Sequence, residues 1–154
     1  MAVQDVARYL LNLSTPNTGE SITNLKLQKL LYYAQGFHLA LHGTPLFDEE
    51  IEAWAHGPVV PEVYKEYRTN GYFDIKDKYS ERTITLTKEQ KLLINDIWEI
   101  FKLYNGKELE RLSHSEDPWI IARGNLAEYA TSDEVITTDS IREYFENEYV
   151  INVE

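Results

Sequence analysis

The stretch "ITNLKLQKLLYYAQGFHLALHG", Ile22 to Gly43, decides what kind of fold this chain can adopt. Thr23 is a good N-cap, because its hydroxyl can accept a hydrogen bond from an otherwise unpaired N–H of the first helical turn. Gly43 suits the left-handed cap at the other end, so the spacing predicts a helix running to about His42. Leu27, Leu30, Leu31, Ala34, His38 and Leu41 share one stripe, and Lys26, Lys29 and Gln35 fall largely off it. A stripe of that width belongs to a central core helix.

Working outward, Val3, Val6, Ala7, Leu10 and Leu13 predict an amphipathic helix over residues 2–13. The loop "STPNTGES" (Ser14–Ser21) follows it, too short to divide two domains. "TPLFDEEIEAWAHGP" (Thr44–Pro58) lacks helical periodicity, and Ile51, Ala53 and Ala55 alternate with Glu52, Trp54 and His56, as in a short extended piece. Gly57-Pro58 is expected to turn the chain out of that piece, with Val59 and Val63 facing inward. Pro61 is placed to start a helix through Tyr67. "YFDIKDKYSERTITL" (Tyr72–Leu86) favours short strands around a polar turn. Thr87 and Gln90 match a capping box for a broad apolar helix that Asn105-Gly106 ends. A short helix over Lys107–Ser113, an Asp117 N-cap with Pro118 as first helical residue, and a last helix over about 139–148 complete the reading. The expected fold is mainly α: a compact helical bundle of five to seven helices in one domain over 1–154, with at most a small β-hairpin or short strand pairs.

A chain of 154 residues can bury a core without covalent or metal staples. It contains no cysteine, which excludes disulfides, thiolate metal sites and a cysteine nucleophile. The formal charge is −11, unevenly placed: from Glu108 onward twelve acids face three bases, so most of the excess lies in the last third. Such a surface repels nucleic-acid phosphate, whose binding rests on Lys and Arg, and could attract a basic partner. No basic n-region precedes the first apolar residues, and no stretch approaches the ~20 apolar residues of a membrane helix. A soluble cytoplasmic protein that binds neither nucleic acid nor membrane is expected.

Candidate chemistry is thin. His38 and His42 lie four apart on one helix and could share a metal ion, with His56 as a third ligand in a hydrolase. The residues between them lack the Glu of the zinc-protease pattern, and His38 also sits on the buried stripe. "LSHSEDPW" (Leu112–Trp119) places Ser113 beside His114, but adjacent helical side chains do not face one another, and helix capping explains these residue types. No glycine-rich phosphate loop occurs. No catalytic residue and no cofactor are expected. His56 has no partner nearby in the sequence that would make it a base.

Several motifs together resemble a known family. They are the Lys-Leu-x-Lys-Leu-Leu-Tyr run (Lys26, Leu27, Lys29, Leu30, Leu31, Tyr32), Pro45–Asp48, Glu52–Trp54, Gly57-Pro58-Val59, and the pattern of His114, Pro118 and Trp119. In this order and spacing they resemble the Panacea domain, a SocA-like, phage-associated family, over about residues 23–123. The resemblance implies an antitoxin of a toxin–antitoxin pair. Such an antitoxin neutralises a cognate protein toxin, encoded by an adjacent gene, through direct contact. It also implies a possible link to a proteolytic complex, because one relative acts as a protease adaptor; a phage regulator acting on a host protein is the other alternative. The family brings no catalytic residues, and the motif residues read as structural. Exposed Tyr and Trp favour interfaces, so Trp54, His56, Tyr64 and Tyr67 are the expected partner-binding residues.

Overall fold

In the computed structural model, which describes residues 2–149, the Thr23 hydroxyl accepts from the Lys26 N–H and opens helix α2, Asn24–His42. Gly43 closes it in the left-handed conformation, with φ of 75°. Helix α1 (Val3–Leu13) precedes it. A hairpin of β1 (Ile51–Trp54) and β2 (Gly57–Val59) follows, then α3 (Pro61–Tyr67). The remainder is α4 (Lys88–Phe101), α5 (Gly106–His114), α6 (Asp117–Arg123), the short strand β3 (Val135–Ile136) and α7 (Thr138–Glu148). The fold is mainly α, with a small antiparallel sheet in the order β2-β1-β3.

Every other helix except α6 packs against α2, and so does β2. It is not a striped helix. Lys26, Lys29 and Gln35, expected at its outer side, are all buried, whereas Leu41 is exposed and His38 only half-buried. The polar residues go inside because irregular backbone around them needs partners, and a buried N–H or C=O without one costs about 1–3 kcal/mol. Gln35 accepts from the Leu46 N–H at 2.7 Å and donates to the Phe47 carbonyl at 2.8 Å. Gln28 accepts from the Val60 N–H at 2.9 Å, and Asn24 donates to the Tyr64 carbonyl at 3.0 Å. The Lys29 ammonium donates to the Pro58 carbonyl at 3.0 Å, and Lys26 to the carbonyl of Lys102.

Two further expectations are corrected. Residues 72–86 form no strand; a single 3₁₀ turn, Glu81–Thr83, interrupts an irregular path. The backbone of Tyr79 and of Thr85 finds partners on α1, and that of Ile75 at Ile22, instead of in a ladder, while the Lys78 side chain meets the end of α1 in return. Asn12 exchanges two hydrogen bonds of 2.8 Å with Tyr79, Asp5 accepts from the Thr85 N–H, and Lys78 donates to the Leu11 and Ser14 carbonyls. The hairpin lies earlier: β1 turns at Ala55-His56, and Gly57-Pro58 is the returning strand. Pro58 is tolerated there because β2 is the sheet edge.

Helix boundaries move for local reasons. Asn105 ends α4's extension but also caps α5, in a capping box with Glu108, so α5 starts one residue earlier than expected. Helix α6 begins at Asp117 with Glu116 in the N-cap position, yet the Glu116 side chain caps nothing. It is drawn into the core, where it accepts hydrogen bonds from the Tyr32, Tyr33 and Tyr149 hydroxyls. Burial raises its carboxyl above the ordinary range, and the three tyrosines oppose that shift. Val59 and Val63 are buried, as expected.

Two glycines permit close approaches to α2. A Cβ on Gly36 would overlap the ring of Phe145 on α7. Gly57, at φ of 106°, lies where a Cβ would come within 2.7 Å of Lys29 Cε. Gly36→Ala is therefore expected to lower stability by about 1–3 kcal/mol in urea denaturation, the usual cost of overpacking. Unchanged stability would contradict this packing.

Burial pushes the Lys29 ammonium down to about 7, against the opposing pull of Glu110. Above about pH 7 and below about pH 10, the unfolded chain keeps a proton on Lys29 that the folded form has released. Stability then rises with pH in that window, by at most ~1.4 kcal/mol per unit. Lys26, lowered to about 8 by burial, adds the same sign above pH 8. Lys29→Met is expected to flatten the rise between pH 7 and 8 in urea titrations; an equally steep profile in the variant would show that Lys29 stays charged.

Candidate functional site: an acid-free cleft beside the hairpin

The β1–β2 hairpin, α3 and the start of α5 enclose a cleft of about 420 Å³. Trp54 and Tyr64 form one wall, their rings 5.0 Å apart and edge to face. The Trp54 indole N–H donates to Glu52 at 2.9 Å, and its carbonyl accepts from the Trp119 indole at 2.8 Å. The wall is therefore tied into the sheet and α6. His56 sits exposed in the hairpin turn, with Nδ1 3.4 Å from Glu110 Oε2. The same carboxylate meets Lys107 Nζ at 3.3 Å. Burial alone would raise the Glu110 carboxyl, yet hydrogen bonds from His56 and Lys107 hold it below the ordinary value.

Three of the four expected partner-binding residues, Trp54, His56 and Tyr64, thus line one cleft. Tyr67 does not. It is buried, and its hydroxyl pairs with that of Tyr79 at 2.5 Å. It lies four residues after Val63 and with it forms the side of α3 that covers the core. Sequence reasoning missed Arg68, Tyr72 and Lys107 in the cleft. Tyr72 carried a signal, since an aromatic directly after Asn70-Gly71 is presented by a turn, and it is 95% exposed. Lys107 carried none: only the tertiary placement of α5 brings it there.

The family-motif residues lie mostly beneath this surface. Lys26, Leu27, Lys29, Leu30, Leu31, Tyr32, Gly57, Pro58 and Val59 are buried. Lys29 and Val59 among them reach the cleft. The His114 ring stacks on Trp119 at 4.0 Å, and the Arg123 guanidinium lies 4.9 Å from the Trp119 centroid. Burial lowers the His114 pKa, and its Nε2 is buried without a hydrogen-bond partner. Pro118 is buried beside this stack.

The arrangement supports little chemistry. The Ser113 hydroxyl donates to the Glu110 carbonyl at 3.0 Å, so Ser113 and His114 form no nucleophile–base pair. His38 and His42 face one another at 4.8 Å over a separate cavity of about 250 Å³, and the His38 ring meets the Thr44 carbonyl. His56 is not brought to them. Among the described residues no three His, Cys, Asp or Glu side chains are grouped to hold a metal. No helix among them is long and apolar enough to cross a membrane.

The family described as antitoxin SocA-like, Panacea domain, matches residues 27–120. Among curated proteins, antitoxin SocA of Caulobacter vibrioides (strain NA1000 / CB15N) is 52% identical over 115 residues, which cover 67% of this chain and 61% of the relative. The chain therefore spans about three-fifths of that relative's length. No solved structure matches. The matched residues run from the buried helix α2 through the hairpin to α6, and with them the chain belongs to the SocA-like antitoxin family built on the Panacea domain.

Proposed function

We propose that this protein is a cytoplasmic antitoxin that neutralises a cognate protein toxin, encoded by a neighbouring gene, through direct protein–protein contact. The observation that carries the reading is the 52% identity to a protein named antitoxin SocA. The geometry supports contact over catalysis: a fixed, partly aromatic cleft opens to solvent, whereas the candidate nucleophile and metal-ligand sets are dispersed. Trp54, Tyr64 and Tyr72 supply the binding surface. Large aromatic side chains held in place by the fold lose little entropy on association and anchor most protein interfaces. His56 lies at the rim of the same surface.

The test is co-expression with the product of the adjacent gene, followed by growth measurement and co-purification. The reading predicts restored growth and a stable complex. It also predicts that Tyr72→Ala weakens the complex at least tenfold without changing the unfolding midpoint, because this side chain is almost wholly exposed. Absence of both rescue and complex would refute the antitoxin reading.

A further inference from the structure

The charge of the chain is distributed against its own average at this cleft. The protein has 26 acids. None lines the cleft, nor the adjoining one of about 190 Å³ that shares Leu25, Gly71, Tyr72 and Lys107 with it. Three other cavities carry carboxylates: Glu89 beside His38 and His42, Asp48 to Glu50 beneath α7, and Asp117, Asp139, Glu143 and Glu148 between α6 and α7. Lys29, Arg68 and Lys107 line the acid-free one.

The nearest acids are already engaged by residues of the cleft itself. Glu52 receives the Trp54 indole N–H, and Glu110 is engaged by His56 and Lys107. Arg68 is exposed and makes no ion pair among the described residues. Lys29 lies at the floor with its ammonium committed to the Pro58 carbonyl, so Arg68 is the unpaired cation, and Lys107, exposed at the rim, is shared with Glu110 at 3.3 Å and can turn part of its charge to a partner.

We infer that this cleft takes an internal acidic segment of the partner protein, with Asp or Glu side chains meeting Arg68 and Lys107 and the chain lying along Trp54, Tyr64 and Tyr72. The inference rests on the reading that the protein works by binding a partner protein, and specifies the partner's chemistry. Two joined clefts sharing one wall suit an extended segment. An Arg fork binds a carboxylate bidentately, which fixes the register of that segment. Cations set in a concave, partly apolar wall act on a ligand more strongly than scattered surface charges. A polyanion such as RNA would also occupy cations and aromatics, but its repulsion by a chain of net charge −11 grows with every phosphate. A segment with two or three carboxylates meets the same local field with far fewer negative charges to be repelled.

The experiment uses the full chain and the co-purified product of the adjacent gene, with Arg68→Glu and Lys107→Gln made singly and together. The pair is expected to weaken the complex at least tenfold, with a shallower dependence of affinity on salt and an unchanged unfolding midpoint. Lys76→Glu with Lys88→Glu, which alters exposed cations outside the cleft, is the control and leaves affinity unchanged. In parallel, an acetylated and amidated octapeptide of Asp, Glu and Leu is expected to bind the parent chain, and its Asn/Gln counterpart is not. A complex that forms normally with the Arg68/Lys107 pair overturns the inference while leaving the antitoxin reading intact. Failure of the parent chain to form any complex overturns both. Tighter binding of a single-stranded octanucleotide than of the acidic peptide, or binding that requires a free C-terminal carboxylate, also overturns it.

Discussion

The burial of α2 on all sides from Lys26 to Gly36 is the constraint from which the rest of this structure follows. A helix surrounded by other elements cannot keep a solvated face, so its polar residues must find partners inside. Asn24, Gln28, Lys29 and Gln35 find them in backbone groups at irregular stretches, edges and helix ends: Leu46 and Phe47 within the Thr44–Glu50 loop, Pro58 on the edge strand β2, and Val60 and Tyr64 at the cap and last turn of α3. The helix is thus both the centre of the core and the frame that fixes the hairpin. Lys29 reaching Pro58, and Gly57 leaving room for Lys29, hold β2 at a set distance from the helix. The cleft wall inherits its rigidity from these bonds.

A second buried polar centre ties the C-terminal third to the same helix. Tyr32 and Tyr33 of α2 share the Glu116 carboxylate with Tyr149, just beyond α7. Among the described residues no cation pairs with this carboxylate, which is held by the three hydroxyl donors. The Tyr-Tyr pair and the Glu before Asp-Pro, far apart in the chain, are one structural unit. Next to it, His114, Trp119 and Arg123 stack in series, and Arg123 donates to the carbonyls of Ala53, Ala127 and Ala130. That stack joins β1 to the loop leading into β3.

Much of this fold was legible in the sequence. Caps at Thr23, Gly43 and Thr87, Pro61 at a helix start and the apolar spacing of α1, α2 and α4 are local signals with local causes. What was not legible depended on partners distant in the chain. Lys26, Lys29 and Gln35 read as solvent-facing because polarity alone does not reveal that a backbone carbonyl will be waiting inside. Residues 72–86 read as strands because β-branched residues suggested a ladder, but Asn12 and Asp5 of α1 supplied the hydrogen bonds instead. At the cleft, Trp54, His56 and Tyr64 could be singled out as a local cluster. Tyr67 was misjudged because its spacing of four from Val63, which sets it on the core-facing side of α3, was outweighed by its aromatic character. Lys107 could be placed only by the tertiary structure.

Charge completes the functional picture. Asp117, Asp139, Glu143 and Glu148 line the groove between α6 and α7, while the hairpin side presents aromatics and cations in a cleft lined by no carboxylate. The two faces are chemically distinct, and a partner would be oriented by both. Amide hydrogen exchange of the chain, free and bound to the product of its neighbouring gene, tests this most directly. Binding through the cleft predicts new protection at the hairpin turn around His56, at residues 68–72 and at the start of α5. Protection confined to α6 and α7, with the hairpin unchanged, would contradict it.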